Sequence, residues 1–321
     1  MMTTIETYVR NRKIQLRKLS QHGGIRLGAK LFGYFLAGTL LSGASLAHSP
    51  LPLTMSLVSV AKGWRALVLA LGGGVGYSLF WGKAGLQGLL WLALALPLVL
   101  IFGKKAIFRE SPLLMPSLSA LIVALSGLAF QILLGDATSV PVYILRIAVA
   151  TGGTKLFELV RDRRDPAAHW IAQGVGVLAL AQVVPFRGFS LGYLAGGLLA
   201  ATGSFPAAAL AGLALDLAQV TPTPMTAVLS LAYLVRFLPL SRKWLENLAP
   251  AILYLLVMGL CGLQDLTPLP GLLLGGGLAL LIPTETEIPR RRGETGMIQV
   301  QLELMSVCLG EVQQLLLEAN T

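Results

Sequence analysis

The charge-free stretch SPLLMPSLSALIVALSGLAFQILLG, residues 111–135, lies between Glu110 and Asp136 and indicates the class of protein. A second long apolar run without charge separates Asp265 from Glu285. An α-helix needs about 20 predominantly apolar residues to cross the hydrocarbon core of a bilayer. Both runs therefore predict helices that span a membrane.

The composition of the whole chain leads to the same prediction. Of the 321 residues, 55% are apolar and only 12% are charged, with a mean hydropathy of +0.74. A soluble domain carries about 25% charged residues, so this chain has too few charges to cover a surface in water. The composition excludes a soluble enzyme, a disordered chain and a secreted disulfide scaffold. It predicts an all-α, polytopic bundle of transmembrane helices.

Twelve apolar segments define a membrane domain over residues 29–283. They lie near Ala29–Ala47, Leu51–Ala61, Ala66–Phe80, Gly85–Phe102, Leu113–Leu134, Val140–Val160, Ala168–Val184, Phe189–Thr202, Pro206–Val220, Met225–Leu240, Leu245–Leu263 and Leu266–Ile282. The segment at 51–61 is the weakest, and it is predicted to be either a half-span or an interfacial helix. The segments at 189–202 and 206–220 are short for a span, so ten spans and twelve spans both stay open.

The basic residues predict the orientation of these spans. With the N-terminus in the cytoplasm, the inner loops hold 20 Lys and Arg residues and the outer loops hold only Lys83 and Arg187. Cytoplasmic loops of membrane proteins carry such an excess. We therefore expect a multi-pass protein of the cell membrane with both termini in the cytoplasm. The net charge of +10 then reflects topology and contact with the lipid bilayer, and not nucleic acid.

The parts outside the membrane domain are predicted from their charge and periodicity. Residues 1–28 form a basic cytoplasmic segment, 284–296 a basic linker and 297–321 a cytoplasmic amphipathic helix. In the last of these, apolar residues recur with the spacing of a coiled-coil heptad. They are Ile298, Leu302, Met305, Leu309, Val312 and Leu316. This seam predicts packing against a partner helix, against a second copy of the chain or against a downstream domain.

Charged residues inside apolar segments are the candidate functional residues, because a charge in a bilayer is costly. Arg146 and Asp216 are predicted at similar depth and form a candidate ion pair, with Asp136 as the competing partner of Arg146. Lys155 and Glu158 lie three residues apart on one helix and are predicted to pair locally. Arg146 and Asp216 would either line an ion or substrate path or lock helices together. The small number of polar groups at mid-depth favours the second role.

Glycines spaced four residues apart predict close contacts between helices, since small-xxx-small patterns let transmembrane helices approach. The three pairs are Gly72 and Gly76, Gly192 and Gly196, and Gly271 and Gly275. Packing within the chain is the favoured interpretation, and a dimer contact is the other.

The sequence contains no recognisable catalytic constellation, cofactor site or metal site. Its three histidines are scattered without the spacing of zinc ligands, and it has no Walker loop and no GxSxG motif. No internal repeat is convincing in the sequence. The residues therefore predict neither catalysis nor a cofactor in this chain.

The layout resembles the N-terminal membrane region of the stage II sporulation protein E (SpoIIE) family of endospore-forming Firmicutes. The shared features are a basic lead-in from Arg10 to Lys30, the proline-containing return Ser49-Pro50-Leu51-Pro52, a Gly/Ala-rich stretch at residues 188–217 and a basic exit at Arg290–Arg292. The resemblance extends over essentially the whole chain.

The resemblance implies about ten spans and a linker helix that leads to a PP2C-type serine/threonine phosphatase using Mn²⁺ or Mg²⁺. It also implies sporulation or division proteins as partners at the asymmetric septum. The metal-binding aspartates of that phosphatase have no counterpart in this sequence, so what remains is an anchoring, localising and oligomerising region. The chain is then a fragment, a truncated product or a stand-alone relative. A small-solute transporter or permease is the alternative.

Overall fold

The computed structural model describes most of the membrane domain. The described residues are 23–46, 49–102, 111, 113–134, 139–162, 165–185, 189–219, 221–237, 243–262 and 265–281. The predicted N-terminal segment lies almost wholly outside these ranges, and Asp136, the basic linker and the heptad seam lie entirely outside them. The chain divides into two units, residues 1–279 and 280–321, and the helices below belong to the first unit apart from the last two residues of α12.

The described residues form an all-α helical bundle with one very short β-hairpin, as predicted. The helices are α1 (Gly23–Ser42), α2 (Leu53–Val60), α3 (Trp64–Trp81), α4 (Gly85–Phe102), α5 (Leu114–Leu134), α6 (Val140–Asp162), α7 (Pro166–Ala181), α8 (Leu191–Thr202), α9 (Phe205–Leu217), α10 (Met225–Val235), α11 (Lys243–Leu260) and α12 (Pro268–Leu281). Strands β1 (Ser45–Leu46) and β2 (Ser49–Pro50) pair antiparallel between α1 and α2. Each predicted apolar segment overlaps one of these helices.

Three helical stretches are long and apolar enough to cross a membrane, which places the protein in association with a bilayer. They are Trp64–Phe102, Leu114–Ile132 and Val140–Asp162. The first stretch comprises α3 and α4, which are separated by a 3₁₀ turn at Gly82–Ala84 where Gly82 has a φ of +51°. Of the other helices, α1 has 20 residues and α11 has 18, and the rest have 16 or fewer.

The packing of α1 against α3 brings two parallel helices into close contact. Gly72 lies against the backbone carbonyl of Phe35, and Gly76 lies against Thr39 and Ser42. The α1 residues that contact the two glycines follow the same chain order as the glycines themselves. The two helices therefore run in the same direction. A Cβ atom at either glycine would come closer than 3.0 Å to backbone atoms of α1. These glycines therefore set the distance between α1 and α3.

The chain returns between the two parallel helices through the β-hairpin and α2. Seven of the eight residues of α2 are buried, so an interfacial helix, one of the two predictions for this segment, is excluded. The helix is about 12 Å long at 1.5 Å per residue, far short of the hydrocarbon core. Thr54 of α2 donates to the carbonyl oxygen of Gly38 at 3.1 Å, which ties the return segment to α1. Thus α2 is a short buried helix inside the bundle.

The same order of packing occurs a second time between residues 166 and 281, which the sequence did not reveal. In each half the first helix packs on the third, α1 on α3 and α7 on α9, and the short second helix lies between them. A backbone hydrogen bond between the two ends of the connection precedes each short helix: Leu51 N donates to Ala44 O, and Leu191 N donates to Val183 O.

The second and sixth helices of each half also correspond. Helix α2 runs parallel to α6, because Ser56 contacts Ala150 and Val60 contacts Arg161. Helix α8 runs parallel to α12 in the same way: Gly271 meets Tyr193, and Gly275 meets the backbone of Leu194 and Leu198. Residues 23–162 and 166–281 are therefore two structural repeats of six helices each, called here the first and second repeats.

The predicted packing glycines of the second repeat lie at helix contacts within the chain. Gly192 lies against the backbone of Ala181, and Gly196 lies between Leu215 and Leu229. Together with Gly271 and Gly275, these glycines are located where α8 meets its neighbours.

Substitution of Gly72 by alanine tests the contact between α1 and α3. We expect the free energy of unfolding to fall by about 1–3 kcal/mol, because the new methyl group overlaps the Phe35 backbone, which has little room to move. The readout is the thermal unfolding midpoint of the purified protein in detergent. The matched control is Gly152→Ala in α6, where nothing lies within 4 Å of the new methyl group. An equal loss of stability in both variants would contradict the contact.

Candidate functional site

A buried arginine at the start of α6 is the centre of the first polar cluster. Arg146 is only 5% exposed and is the only charged side chain among the described residues that is buried. Its Nε donates to Ser49 Oγ at 2.9 Å, and its Nη1 donates to Gln87 Oε1 at 2.6 Å. A buried charge needs such hydrogen bonds to offset the loss of water.

Aromatic side chains complete the surroundings of Arg146. The guanidinium carbon lies 5.7 Å from the centroid of the Trp91 ring, within the range of a cation–π interaction. Trp91 is itself fully buried, and its indole N–H donates to Ser126 Oγ at 2.9 Å. Tyr77 donates to the carbonyl oxygen of Leu51 at 2.8 Å and stacks edge-on against Trp91. The cluster joins β2, α3, α4, α5 and α6 at one place.

The predicted pair of Arg146 and Asp216 is not formed. The Asp216 carboxylate instead caps the start of α10: Oδ1 accepts from Met225 N at 2.6 Å, and Oδ2 accepts from the Thr226 amide and hydroxyl at 2.9 and 2.6 Å. A carboxylate satisfies the free N–H groups of a helix start well. Similar depth was therefore not enough to identify partners, because Asp216 is held by its own helical hairpin in the second repeat.

Lys155 and Glu158 do lie together on α6, with the Lys155 Nζ 3.3 Å from the Glu158 carboxylate. The lysine side chain is 38% exposed, so this pair lies at a surface of the bundle. Exposed pairs of this kind contribute at most about 0.5 kcal/mol. The pair is a local contact and not part of a buried pathway.

Small hydroxyl groups connect α2 to α5 and α6. Thr154 donates to Ser119 Oγ at 3.0 Å, and Ser119 donates to Ser59 Oγ at 3.2 Å. Ser56 donates to the Ala150 carbonyl oxygen at 3.1 Å. Hydrogen bonds between helices of this type hold membrane bundles together where water is absent.

A second polar cluster lies at the start of α12. Asp265 Oδ2 accepts from Thr221 Oγ1 at 2.9 Å, and its Oδ1 accepts from the hydroxyl and amide of Thr267 at 2.6 and 3.0 Å. The Tyr254 hydroxyl donates to the backbone carbonyl of Asp265. Burial acts to raise the pKa of the Asp265 carboxyl, but the hydrogen bonds from Thr267 and Thr221 outweigh it and hold that pKa below its ordinary value. Asp265 is therefore ionised at neutral pH.

A cavity of about 320 Å³ lies at the junction of the two repeats. The ends of the first and third helices of each repeat, and the turns that follow them, line it. The lining residues are Gly43, Ser45, Phe80 and Trp81 from the first repeat, and Ala181, Gln182, Val184, Leu217, Ala218 and Gln219 from the second. Its walls are mostly apolar, and its volume falls at the lower end of the range for small-molecule sites.

Several residues of these clusters are not among the predicted site residues. Gln87 is the only side chain in α4 with a hydrogen-bonding group besides Trp91, and an amide in an otherwise apolar helix is the signal that could have identified it. Tyr193 and Thr221 carry no such signal, because single hydroxyl groups are common in apolar helices and loops. Among the described residues, no group of three or more His, Cys, Asp or Glu side chains could hold a metal ion.

Comparison with models of protein families, with curated proteins and with solved structures gave no match for the chain.

Replacement of Gln87 by leucine tests the anchoring of Arg146. We expect a loss of about 1.5–3 kcal/mol in the free energy of unfolding, because a buried cation loses a charge-assisted hydrogen bond. The thermal unfolding midpoint in detergent measures the effect. Ser78→Ala, which removes an exposed hydroxyl bonded to its own helix, is the control and should change little. If the two variants were equally stable, Arg146 would not depend on Gln87.

Proposed function

We propose that the chain is the membrane-anchoring and assembly region of a SpoIIE-like sporulation phosphatase. It would lie in the cell membrane with both termini in the cytoplasm, as the distribution of Lys and Arg favours. The resemblance of its layout to the SpoIIE membrane region supports this function.

The observation that carries the proposal is that the buried polar groups form hydrogen bonds between elements of the bundle. Arg146 is held by Ser49, Gln87 and the Trp91 ring, and the hydroxyls of α2 bond to α5 and α6. Each of these contacts joins one element of the bundle to another. A region that anchors and positions an attached cytoplasmic part requires such fixed packing.

Assembly would use the surfaces of the helices and the segment beyond them. Large apolar side chains such as Phe32, Leu79 and Ile132 are exposed on the bundle, where lipid or a second copy would cover them. The heptad seam predicted at 298–316 would carry self-association or contact with sporulation or division proteins into the cytoplasm. A phosphatase domain with Mn²⁺ or Mg²⁺ would supply the catalysis.

A chimera tests the anchoring function. In an endospore-forming bacterium, the SpoIIE membrane region is replaced by residues 1–321 of this chain, fused to the native phosphatase and a fluorescent protein. We expect the fusion to collect at the asymmetric septum and to restore a sigma-factor-dependent reporter, because anchoring and assembly reside in this region.

The control chimera carries an unrelated transporter with the same number of spans, which should distribute evenly in the membrane. A stable fusion of this chain that is distributed evenly and leaves the reporter silent would refute the anchoring function.

Transport of a small uncharged solute is the second candidate, and the cavity between the repeats favours it. Membrane transporters are often built from repeats that enclose a site between them. If it is correct, purified protein in liposomes should increase the permeability to small polyols, measured by light scattering. Gln182→Trp, which places a large ring at the cavity wall, should remove that increase. Permeability equal to that of protein-free liposomes would contradict the transport function, and anchoring would remain as the proposed function.

A further inference from the structure

The cluster around Asp265 contains a buried hydroxyl group that has no hydrogen-bond partner among the described residues. Tyr193 is 1% exposed, and its OH is unpaired. The side chains of Thr221 and Thr267 lie close to this hydroxyl but outside normal hydrogen-bond geometry, and Asp265 is near enough to interact with it electrostatically. An unpaired buried polar group is costly, so a native structure seldom keeps one without a reason. An oxygen ligand directed at a bound cation is such a reason.

The cluster is also open on one side and closed on the other. Asp265 is partly accessible and Thr267 is exposed, whereas Tyr193, Thr223 and Tyr254 form a buried floor. Within the described ranges, no basic side chain lies within ion-pair distance of the Asp265 carboxylate. The Asp265 carboxylate thus lies on a buried floor of hydroxyl groups. Its partners are the Thr221 and Thr267 hydroxyls and the Thr267 amide at the start of α12, with no basic side chain among them.

The first repeat shows what occupies the corresponding place there. Gly153 of α6 faces α2, and Gly271 and Gly275 of α12 face α8 in the same manner. If Gly153 is aligned with Gly271, the counterpart of Arg146 is residue 264. If it is aligned with Gly275, the counterpart is residue 268. Both positions lie within three residues of Asp265. These positions hold Gln and Pro, so the second repeat has no fixed cation where the first repeat has the Arg146 guanidinium.

We propose that Tyr193, Thr221, Asp265 and Thr267 form a binding site for a hard monovalent cation, with Na⁺ as the ion. All donor atoms are oxygens, which suit hard cations and not soft metals. One carboxylate balances a single positive charge, whereas sites for divalent cations normally collect more. In membrane transporters, Na⁺ binds near interrupted helices, where unwound backbone carbonyls and helix C-terminal ends coordinate it. The site does not depend on the anchoring function.

Thermal unfolding in different salts tests the site. The full chain is purified in detergent without sodium, and its unfolding midpoint is measured in NaCl, KCl and choline chloride at one ionic strength. We expect NaCl to raise the midpoint by at least about 2 °C over choline chloride, because a ligand stabilises the state that binds it. Binding of ²²Na⁺ to the same protein should saturate near one ion per chain.

Two variants remove the site and two serve as controls. Tyr193→Phe removes only the unpaired hydroxyl, so it should keep its stability in choline chloride, lose the NaCl shift and bind ²²Na⁺ at least tenfold more weakly. Asp265→Asn should abolish both effects. Tyr77→Phe and Asp216→Asn change the same residue types at other places, and both should retain the NaCl shift.

Three outcomes would overturn the proposal. The first is equal midpoints in all salts together with no bound ²²Na⁺, which would exclude the site. The second is a NaCl shift that Tyr193→Phe leaves intact, which would place the ion elsewhere. The third is a larger shift with KCl, or displacement of ²²Na⁺ by micromolar Ca²⁺, which would contradict the assignment to Na⁺. Loss of septal localisation in the chimera would refute the anchoring function and leave this site unaffected.

Discussion

The close contact between the parallel helices α1 and α3 determines the path of the chain in the first repeat. Gly72 and Gly76 allow backbone to meet backbone, and no larger residue fits there. Two parallel neighbours require a return segment between them, and the space left is narrow. The chain fills it with a hairpin of two two-residue strands and the eight-residue helix α2. Small polar side chains on α2 bond to the carbonyl oxygens of its neighbours, so a segment too short to span is stable inside an apolar bundle.

The return segment also explains where Arg146 lies. The hairpin places Ser49 in the interior at the level where α4 begins. Ser49 and Gln87 of α4 both accept hydrogen bonds from Arg146. Arg146 joins these two elements through one planar group, which a lysine with a single point charge would not reproduce. In the second repeat the corresponding end of the bundle carries Asp265, Thr221 and Tyr193. The two repeats thus share a scaffold and differ in the charge they place at this end.

Much of the fold could be predicted from the sequence, because apolar segments separated by charged or Gly/Pro-rich loops are direct evidence of helices. Each of the twelve segments overlaps one helix, and α4 has the predicted bounds, Gly85–Phe102. The partners of buried charges could not be predicted in the same way. Depth in the membrane placed Arg146 and Asp216 at one level but carried no information about which helices are neighbours. The Asp216 carboxylate instead accepts hydrogen bonds from the backbone amides at the start of α10.

The internal repeat was hidden for a similar reason. Leu, Ala, Val and Gly replace one another freely on apolar helices, so two repeats can keep their packing without keeping a recognisable sequence. Only contacts between distant residues, such as Gly72 with Phe35 and Gly275 with Leu194, reveal that the order of packing is the same. The buried hydroxyl of Tyr193 likewise becomes informative only when its neighbours are known.

Because each repeat has six helices, the two repeats should face the same way in the membrane. Single cysteines at Lys83, after α3, and at Pro222, after α9, can report this in a chain whose own Cys261 and Cys308 are replaced by serine. Both positions are exposed. Labelling with a membrane-impermeant maleimide on intact cells should modify both positions to the same extent. If one position were labelled from outside and the other only after the membrane is opened, the two repeats would be inverted, and the architecture described above would be wrong.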